Sequence, residues 1–394
     1  MSELRYEVVV VGRGLLGSAA ARHLTELGAG VCLIGPGEPT DLAGHEGVFG
    51  SHYDSSRITR VLERDPYFAR LAAASLARHR ELEERTGVDF YRPVGHLSVS
   101  AMADYLDDML VNAAAAGVVA ETLDDADLAT RFPLLSFGSG MTGAYDGVVG
   151  GHIDPRRLIV AQSRAVELGG GVVVDATVMA VEPTESGVVV GLDDGDVIMA
   201  DKVVLATGAF ANHLGIIPKE IEIRIEAHTF LFAEIGSGEA RTYGSLPSVI
   251  YKRGDAVRQS VYLLPPVQYP DGRWYLKIGQ SVADEMADPV TELIPWCQGS
   301  GDPGIVEWLR DELAALVPGI EPLSTHSGAS IVTKSPTGRQ FVDQFPGCEV
   351  YSLLADDGHV AKSSDEIGRI GAHRVWLGQV PEEYRGEDFS IVYR

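Results

Sequence analysis

The chain has 394 residues, 45% of them hydrophobic, and its 32 Lys and Arg against 56 Asp and Glu leave a formal charge of −24 at neutral pH. That length and apolar content suffice for a continuous buried core, while the acidic balance lacks the clustered Lys and Arg that a phosphate backbone requires, which excludes nucleic acid as a partner. Cys32, Cys297 and Cys348 lie far apart with no CxxC pair, so neither a disulfide framework nor a metal site is expected, and a reducing, cytoplasmic setting is.

Tyr6 to Val11 is an apolar, β-branched run that stops at Gly12; its length suits a strand rather than the longer apolar region of a secretory signal. Leu15 to Leu27 follows with helical spacing, Gly28–Gly30 turns the chain, and Val31–Ile34 gives a second strand, so the chain opens as a β-α-β unit. Pro66–Thr86 predicts a long helix, Val94–Val99 a strand, and Ala103–Ala115 and Asp124–Arg131 further helices. At Asp154-Pro155 the Asp caps free amides and the Pro suits a first helical turn, so a helix is expected to run on to Leu168. Strands are expected at Gly171–Val174, Gly187–Leu192 and Val203–Ala206, the last ending in Thr207-Gly208-Ala209. From Ile221 to Gln280, strand-like patches alternate with Gly, Pro and Asp breaks, as in an antiparallel sheet. Ile305–Leu316 reads as helix, Ile331–Thr333 and Val350–Leu354 as strands, and a helix from about Lys362 to Leu377 closes the pattern. No stretch reaches the ~18 uninterrupted apolar residues of a spanning helix, so no membrane partner is expected.

Gly12-Arg13-Gly14-Leu15-Leu16-Gly17 sits between the first strand and the first helix, the context in which such a loop binds a dinucleotide. Gly12 permits the tight turn, Gly14 lets backbone approach a pyrophosphate, and Gly17 lets helix pack on strand, while the helix N-terminus offers free amides and the positive end of its dipole. The acid that normally follows the second strand and holds the ribose is missing, because its place is Gly35. Glu38 is the candidate replacement, with an exposed loop carboxylate as the alternative. On this fingerprint alone NAD and FAD both remain open.

Five further segments occur in one order across nearly the whole chain: Gly50-Ser51-His52-Tyr53-Asp54-Ser55-Ser56-Arg57-Ile58-Thr59-Arg60, Val203-Val204-Leu205-Ala206-Thr207-Gly208-Ala209, Leu276-Lys277-Ile278-Gly279, Val332-Thr333-Lys334 and Gly358-His359-Val360-Ala361-Lys362-Ser363-Ser364. In that order and spacing the sequence resembles the D-amino-acid oxidase superfamily of FAD proteins, and within it the monomeric sarcosine oxidase and N-methyltryptophan oxidase group. The resemblance implies an α/β fold with a Rossmann-type FAD-binding domain, residues 1–90, 150–220 and 322–394, interleaved with a mixed, mostly antiparallel-sheet substrate domain, residues 91–149 and 221–321. It implies FAD held by Gly12, Gly14, Leu15, Leu16, Gly17, Glu38, Ser51, Arg57, Met179, Thr207, Gly208, Gly358, His359, Val360 and Lys362.

Roles follow from the same resemblance. Arg57 stands near the flavin ring. Arg60 grips the substrate carboxylate, a task suited to the two parallel hydrogen bonds of an arginine fork, and Lys362 is its partner at the start of the last helix. Lys277 lies over the flavin through water, where a buried ammonium stabilises the negative charge formed as reduced flavin meets oxygen. Tyr53, Tyr262 and Trp274 are the aromatic candidates for the pocket wall, with core or sheet packing as the alternative for each, and His359 either hydrogen-bonds the flavin or fills the turn. From the residues alone, the arginines as surface charges, Lys277 as a solvent-facing strand lysine and Lys362 as an exposed first-turn residue stay open.

The implied activity is oxidation of a small amine or amino acid at its C–N bond, with molecular oxygen reduced to hydrogen peroxide. A flavin dehydrogenase using another acceptor, and a weakly active FAD-binding subunit of a larger complex, are the alternatives. Three departures matter. Ser330 stands where the group attaches its flavin through cysteine, so non-covalent FAD is expected. Tyr53 and Ser281 replace two histidines of the pocket. Ala355-Asp356-Asp357-Gly358-His359-Val360 replaces the group's Gly-Phe-Ser-Gly-His-Gly, and its two acids either repel an anionic substrate or attract a cationic amine.

Overall fold

The computed structural model describes residues 4–394, and the strands among them form three sheets. In the first, of seven strands, Leu4–Val11 runs parallel between Val31–Ile34 and Val197–Leu205. Val172–Val174 adds a parallel strand beyond Val31–Ile34, and Val350–Ser352 adds another beside Val203–Leu205. The antiparallel pair Val178–Thr184 and Gly187–Leu192 finishes the other edge. These central strands are almost continuously apolar because both of their faces are covered. Val8, Val10, Val31 and Leu33 pack on helices Leu15–Glu26, Pro66–Thr86 and Val360–Leu377, while Val9, Val11, Cys32 and Ile34 join Val188, Val190 and Phe341 on the opposite side. The alternation is the period of two expected of a pleated strand.

The second sheet has nine strands and is antiparallel except where Ser248–Lys252 runs parallel to His96–Ser100. Near one edge is the long strand Arg224–Ile235, paired with Trp274–Gln280 on one side and Ser324–Lys334 on the other. Leu231, Ala233, Leu263, Leu276 and Ile278 from this sheet pack under helix Pro303–Leu316 through Leu309 and Leu313. By strand pairing, Ser324–Lys334 belongs to this sheet along its 11 residues, although it lies inside the 322–394 stretch expected with the dinucleotide unit. A small third sheet joins Arg57–Thr59 and Tyr91–Arg92 to Gly151–Ile153 and fixes the arginine-bearing segment.

Helix Pro289–Gln298 is absent from the sequence-based expectation because Pro295 lies inside it and reads as a breaker. Among the described residues no helix is long and apolar enough to cross a membrane.

Candidate functional site

The first strand, the turn after it and the first helix are in backbone contact. Gly12 has φ 107°, and a Cβ there would stand 2.3 Å from the Ala206 carbonyl oxygen; a Cβ at Gly17 would stand 1.8 Å from the Gly12 carbonyl oxygen. No side chain larger than hydrogen fits either place. Gly14 begins helix Leu15–Glu26 without any side-chain cap, and a Cβ there would meet nothing nearer than His52 Nδ1 at 3.7 Å. The first amides of the helix therefore face open space with the dipole behind them, which suits an anion.

A cleft of about 1050 Å³, open solvent included, begins at this helix end and is lined by Gly12, Gly14, Leu15, Leu16, Ser51, Thr207, Gly208 and Val360, with apolar Val11, Ile34 and Phe210. The Thr207 hydroxyl is buried there without a hydrogen-bond partner. Burial, with Arg156, Arg13 and Arg57 nearby, brings His52 down to about 3, so its ring is neutral at physiological pH. The glycine cradle, the uncapped amides and the orphaned hydroxyl fit the diphosphate and sugar of a dinucleotide.

Two expected cofactor contacts, Glu38 and Met179, do not line this cleft. A Cβ at Gly35 would lie 2.5 Å from the Arg13 amide nitrogen, so no acid can occupy the usual ribose position. Glu38, the candidate replacement, is outside the lining of this cleft, and its carboxylate accepts from both Nε and Nη2 of Arg156 at 2.6 Å. Met179 is 60% exposed, and the cleft is lined instead by Ala176, Thr177 and the buried Val178.

A second cleft, about 1240 Å³, meets the first at Leu15, Ser51, Ile331, Asp356 and Val360. Arg57, Arg60, Gly358, His359 and Lys362 line it, together with Tyr262, Ser281 and Ser330. Strand Arg57–Thr59 presents Arg57, Arg60 follows directly after it, and helix Val360–Leu377 presents Lys362 in its first turn, so distant stretches of sequence converge here. Each arginine has an acid three residues away in sequence. Arg57 Nε lies 3.0 Å from Asp54 and Arg60 Nε 2.9 Å from Glu63, and Glu63 also lies 3.1 Å from Lys362 Nζ. Burial disfavours the Glu63 carboxylate, but Arg60 and Lys362 outweigh it and hold its pKa well below the usual value. Burial brings Lys362 down to about 8 despite Glu63. His359 stacks on Phe68 with ring centroids 3.6 Å apart, is lowered to about 4 by burial first, and keeps a buried Nδ1 with no hydrogen-bond partner.

Lys277, expected over the flavin, is buried outside the lining of both clefts. It is 1% exposed and is ion-paired with Asp54, with its Nζ 4.4 Å from the centroid of Phe230. Asp54 also accepts from the Tyr269 hydroxyl at 2.7 Å; burial raises its pKa, and Lys277 and Arg57 overcome this and hold it at about 2. Tyr53 lines the first cleft rather than the second, edge-on to His52, and Trp274 packs in the cluster beneath the second sheet. Neither Asp54 nor Glu63 was singled out as functional from sequence, although the i, i+3 spacing to each arginine is visible in it.

The Ala355–Gly358 turn carries three left-handed residues, Ala355 at φ 64°, Asp357 at 50° and Gly358 at 78°. Two of them pay a steric cost that the turn's hydrogen bonds offset. Asp356 accepts from the Thr333 and Gly358 amides at 3.1 and 3.0 Å, the Asp357 amide donates to Thr333 O at 2.8 Å, and Lys334 Nζ donates to Asp357 O at 3.1 Å. The two acids thus build the turn that delivers the helix end to both clefts. Burial raises both carboxyls, Asp357 to about 6.

Residues 7–374 match the model of the family described as FAD dependent oxidoreductase, so the chain belongs to that family and is an FAD-dependent oxidoreductase. Among its relatives is the monomeric sarcosine oxidase of Streptomyces avermitilis, 28% identical over 273 residues, which cover 68% of this chain and 67% of that protein. The N-methyl-L-tryptophan oxidase of Yersinia pestis is 24% identical over 214 residues, 53% of this chain, so the match spans about half of that relative, 55% of its length. Two solved structures share the fold: NikD, an amino acid oxidase of nikkomycin biosynthesis, with TM-score 0.74 and 20% identity over 99% of this chain and 98% of that one, and L-proline dehydrogenase from P. horikoshii, with TM-score 0.74 and 17% identity over 98% and 97%.

Proposed function

We propose that the chain oxidises a small amine or amino acid at its C–N bond and passes the electrons to molecular oxygen, forming an imine and hydrogen peroxide. The observation that carries this reading is the junction of the two clefts: the dinucleotide cradle opens at Leu15, Ser51 and Val360 onto a wall bearing Arg60 and Lys362. FAD, bound along the first cleft, supplies the two-electron acceptor. Arg60 and Lys362 hold the substrate carboxylate and so fix which C–H bond faces the junction. The amine arrives protonated and must lose that proton before the C–H bond breaks. Asp357, raised to about 6 and facing the second cleft, is a stronger base than an ordinary carboxylate. Ser330 faces the same cleft with a hydroxyl that cannot form a thioether, which supports FAD held without a covalent bond. The free cysteines support a cytoplasmic setting.

A second reading, transfer to an acceptor other than oxygen, is favoured by one observation: Asp54 engages the Lys277 ammonium away from both clefts. The two are separated by mixing anaerobic, colourless enzyme with oxygen after reduction by a panel of amino acids, N-methyl amino acids and amines. Rapid return of the yellow colour with one peroxide formed per flavin supports the oxidase. Bleaching that oxygen reverses only slowly, and an artificial acceptor quickly, supports the second reading, and no bleaching by any amine overturns both.

A further inference from the structure

Arg60 and Lys362 share one acid. Glu63 is 4% exposed, and its Oε1 accepts from Arg60 Nε at 2.9 Å, lies 3.1 Å from Lys362 Nζ and 3.7 Å from His359 Nδ1. These contacts use the inner edge of the guanidinium, and among the described residues no hydrogen bond occupies its outer Nη1 and Nη2. Elsewhere in the second cleft Lys334 has Glu226 at 3.8 Å, and Arg57 shares Asp54, at 3.0 Å, with Lys277, which itself lines neither cleft. At Arg60 and Lys362, two cations face one acid.

The other groups packed around the triad do not alter that count at neutral pH. Burial keeps His359 and His96 neutral, with Arg60 and Lys362 adding to the effect on His96, and burial raises the Tyr105 phenol, which stays protonated. Lys334 adds a more distant positive charge on the Lys362 side, and Asp356 and Asp357, on the turn before that helix and in the same cleft, are the acids that face Lys334.

We propose that Glu63 sets the substrate class of this site: by filling the inner edge of the Arg60 and Lys362 pair it leaves one uncompensated positive charge toward the cleft, which matches a substrate with a single carboxylate at that end and selects against a second anionic group there. This rests on the reading that Arg60 and Lys362 take the substrate carboxylate. Glu63 is a positioning residue, acting through both cations. It also ties the end of the Arg57–Thr59 segment to the start of helix Val360–Leu377, which holds the two donors at a fixed separation.

Glu63→Gln keeps the shape and removes the charge. The test titrates acetate and malonate into oxidised, FAD-loaded enzyme and follows the visible flavin spectrum from pH 6 to 9. The unaltered enzyme is expected to bind acetate in preference to malonate and to lose acetate affinity as pH rises through about 8, where Lys362 releases its proton. In Glu63→Gln the malonate-to-acetate affinity ratio should rise by tenfold or more, since about 1.4 kcal/mol is a small part of the interaction between close, partly screened charges. The loss of acetate affinity should also move to lower pH, because Lys362 has lost the acid that sustains its charge. A ratio and a midpoint both unchanged in Glu63→Gln overturn the proposal for Glu63 while leaving the carboxylate site standing. Unaltered enzyme that binds neither anion, and behaves as Arg60→Ala does, overturns the carboxylate site itself and the proposal with it. Should Glu63→Gln fail to retain flavin, Glu63→Asp decides: it keeps the charge and should keep the original ratio, and a tenfold rise in that variant overturns the charge argument.

Discussion

Lys277→Met removes the ammonium from a buried cluster in which Asp54, Arg57 and Tyr269 stay in place. Burial brings Lys277 down to about 8 from the ordinary 10.5. Between those values the unfolded chain holds a proton that the folded chain has released, so stability rises with pH across the window. A gap of 10.5 − 8 = 2.5 pH units corresponds to roughly 3 kcal/mol. Asp54 behaves oppositely: its pKa of about 2 contributes stability that is present above the unfolded value of 3.8 and is lost as pH falls toward 2. Thermal melts of the variant should therefore show a shallower rise between pH 8 and 10, with Lys362 supplying what remains, and a smaller acid loss below pH 3.8, because Arg57 alone then faces Asp54 and holds its pKa less far below the unfolded value. If Lys277 serves the oxygen reaction, reoxidation by oxygen in stopped-flow measurements should slow at least about tenfold more than reduction by substrate, since Asp54 then offsets the charge of Arg57, which lines the second cleft, and so opposes formation of a further negative charge. An unchanged slope between pH 8 and 10 refutes the electrostatic account, and equal slowing of the two half-reactions refutes the oxygen role.

Gly17→Ala places a Cβ 1.8 Å from the Gly12 carbonyl oxygen, so the turn must shift, and titration of apoprotein with FAD should show a loss of affinity of a hundredfold or more, about 3 kcal/mol. Arg60→Ala should weaken acetate binding by roughly 2–5 kcal/mol, measured by the flavin spectral change, and an unaltered affinity would show that the carboxylate binds elsewhere. Acid precipitation should leave the flavin of the unaltered protein in solution, whereas Ser330→Cys should retain part of it on the protein. Glu38→Gln should change FAD affinity by less than about threefold, because Arg156 already holds that carboxylate; a loss of tenfold or more would place Glu38 on the ribose.

The parts of the fold visible in sequence are those with a local signal. Val8 to Val11, Gly12 and the Ala-rich helix after it announce themselves by period and punctuation, and Asp154-Pro155 marks a helix start that the structure confirms with an Asp154 side-chain cap on Arg157. The short strand Arg57–Thr59 was illegible because three residues carry no period and its partner Gly151–Ile153 is almost a hundred positions away. The convergence of Arg57, Arg60, Gly358, His359 and Lys362 followed from family resemblance, and the second cleft contains all five. What resemblance could not supply is how this chain compensates its cations. Asp54 and Glu63 are ordinary polar residues in a sequence with 56 acids, and only burial beside particular lysines and arginines distinguishes them. Glu38 and Met179 stand outside the lining of the first cleft for a related reason, since proximity in sequence to the second strand and to the cleft wall does not determine which way a side chain turns.

A crystal structure of the FAD-loaded protein with acetate bound is the most direct test of the central claim, that the flavin ring lies where the two clefts meet. The ring should contact Leu15, Ser51, Ile331 and Val360, with the acetate carboxylate on Arg60 and Lys362. A ring outside that junction, or acetate bound away from both cations, contradicts the account.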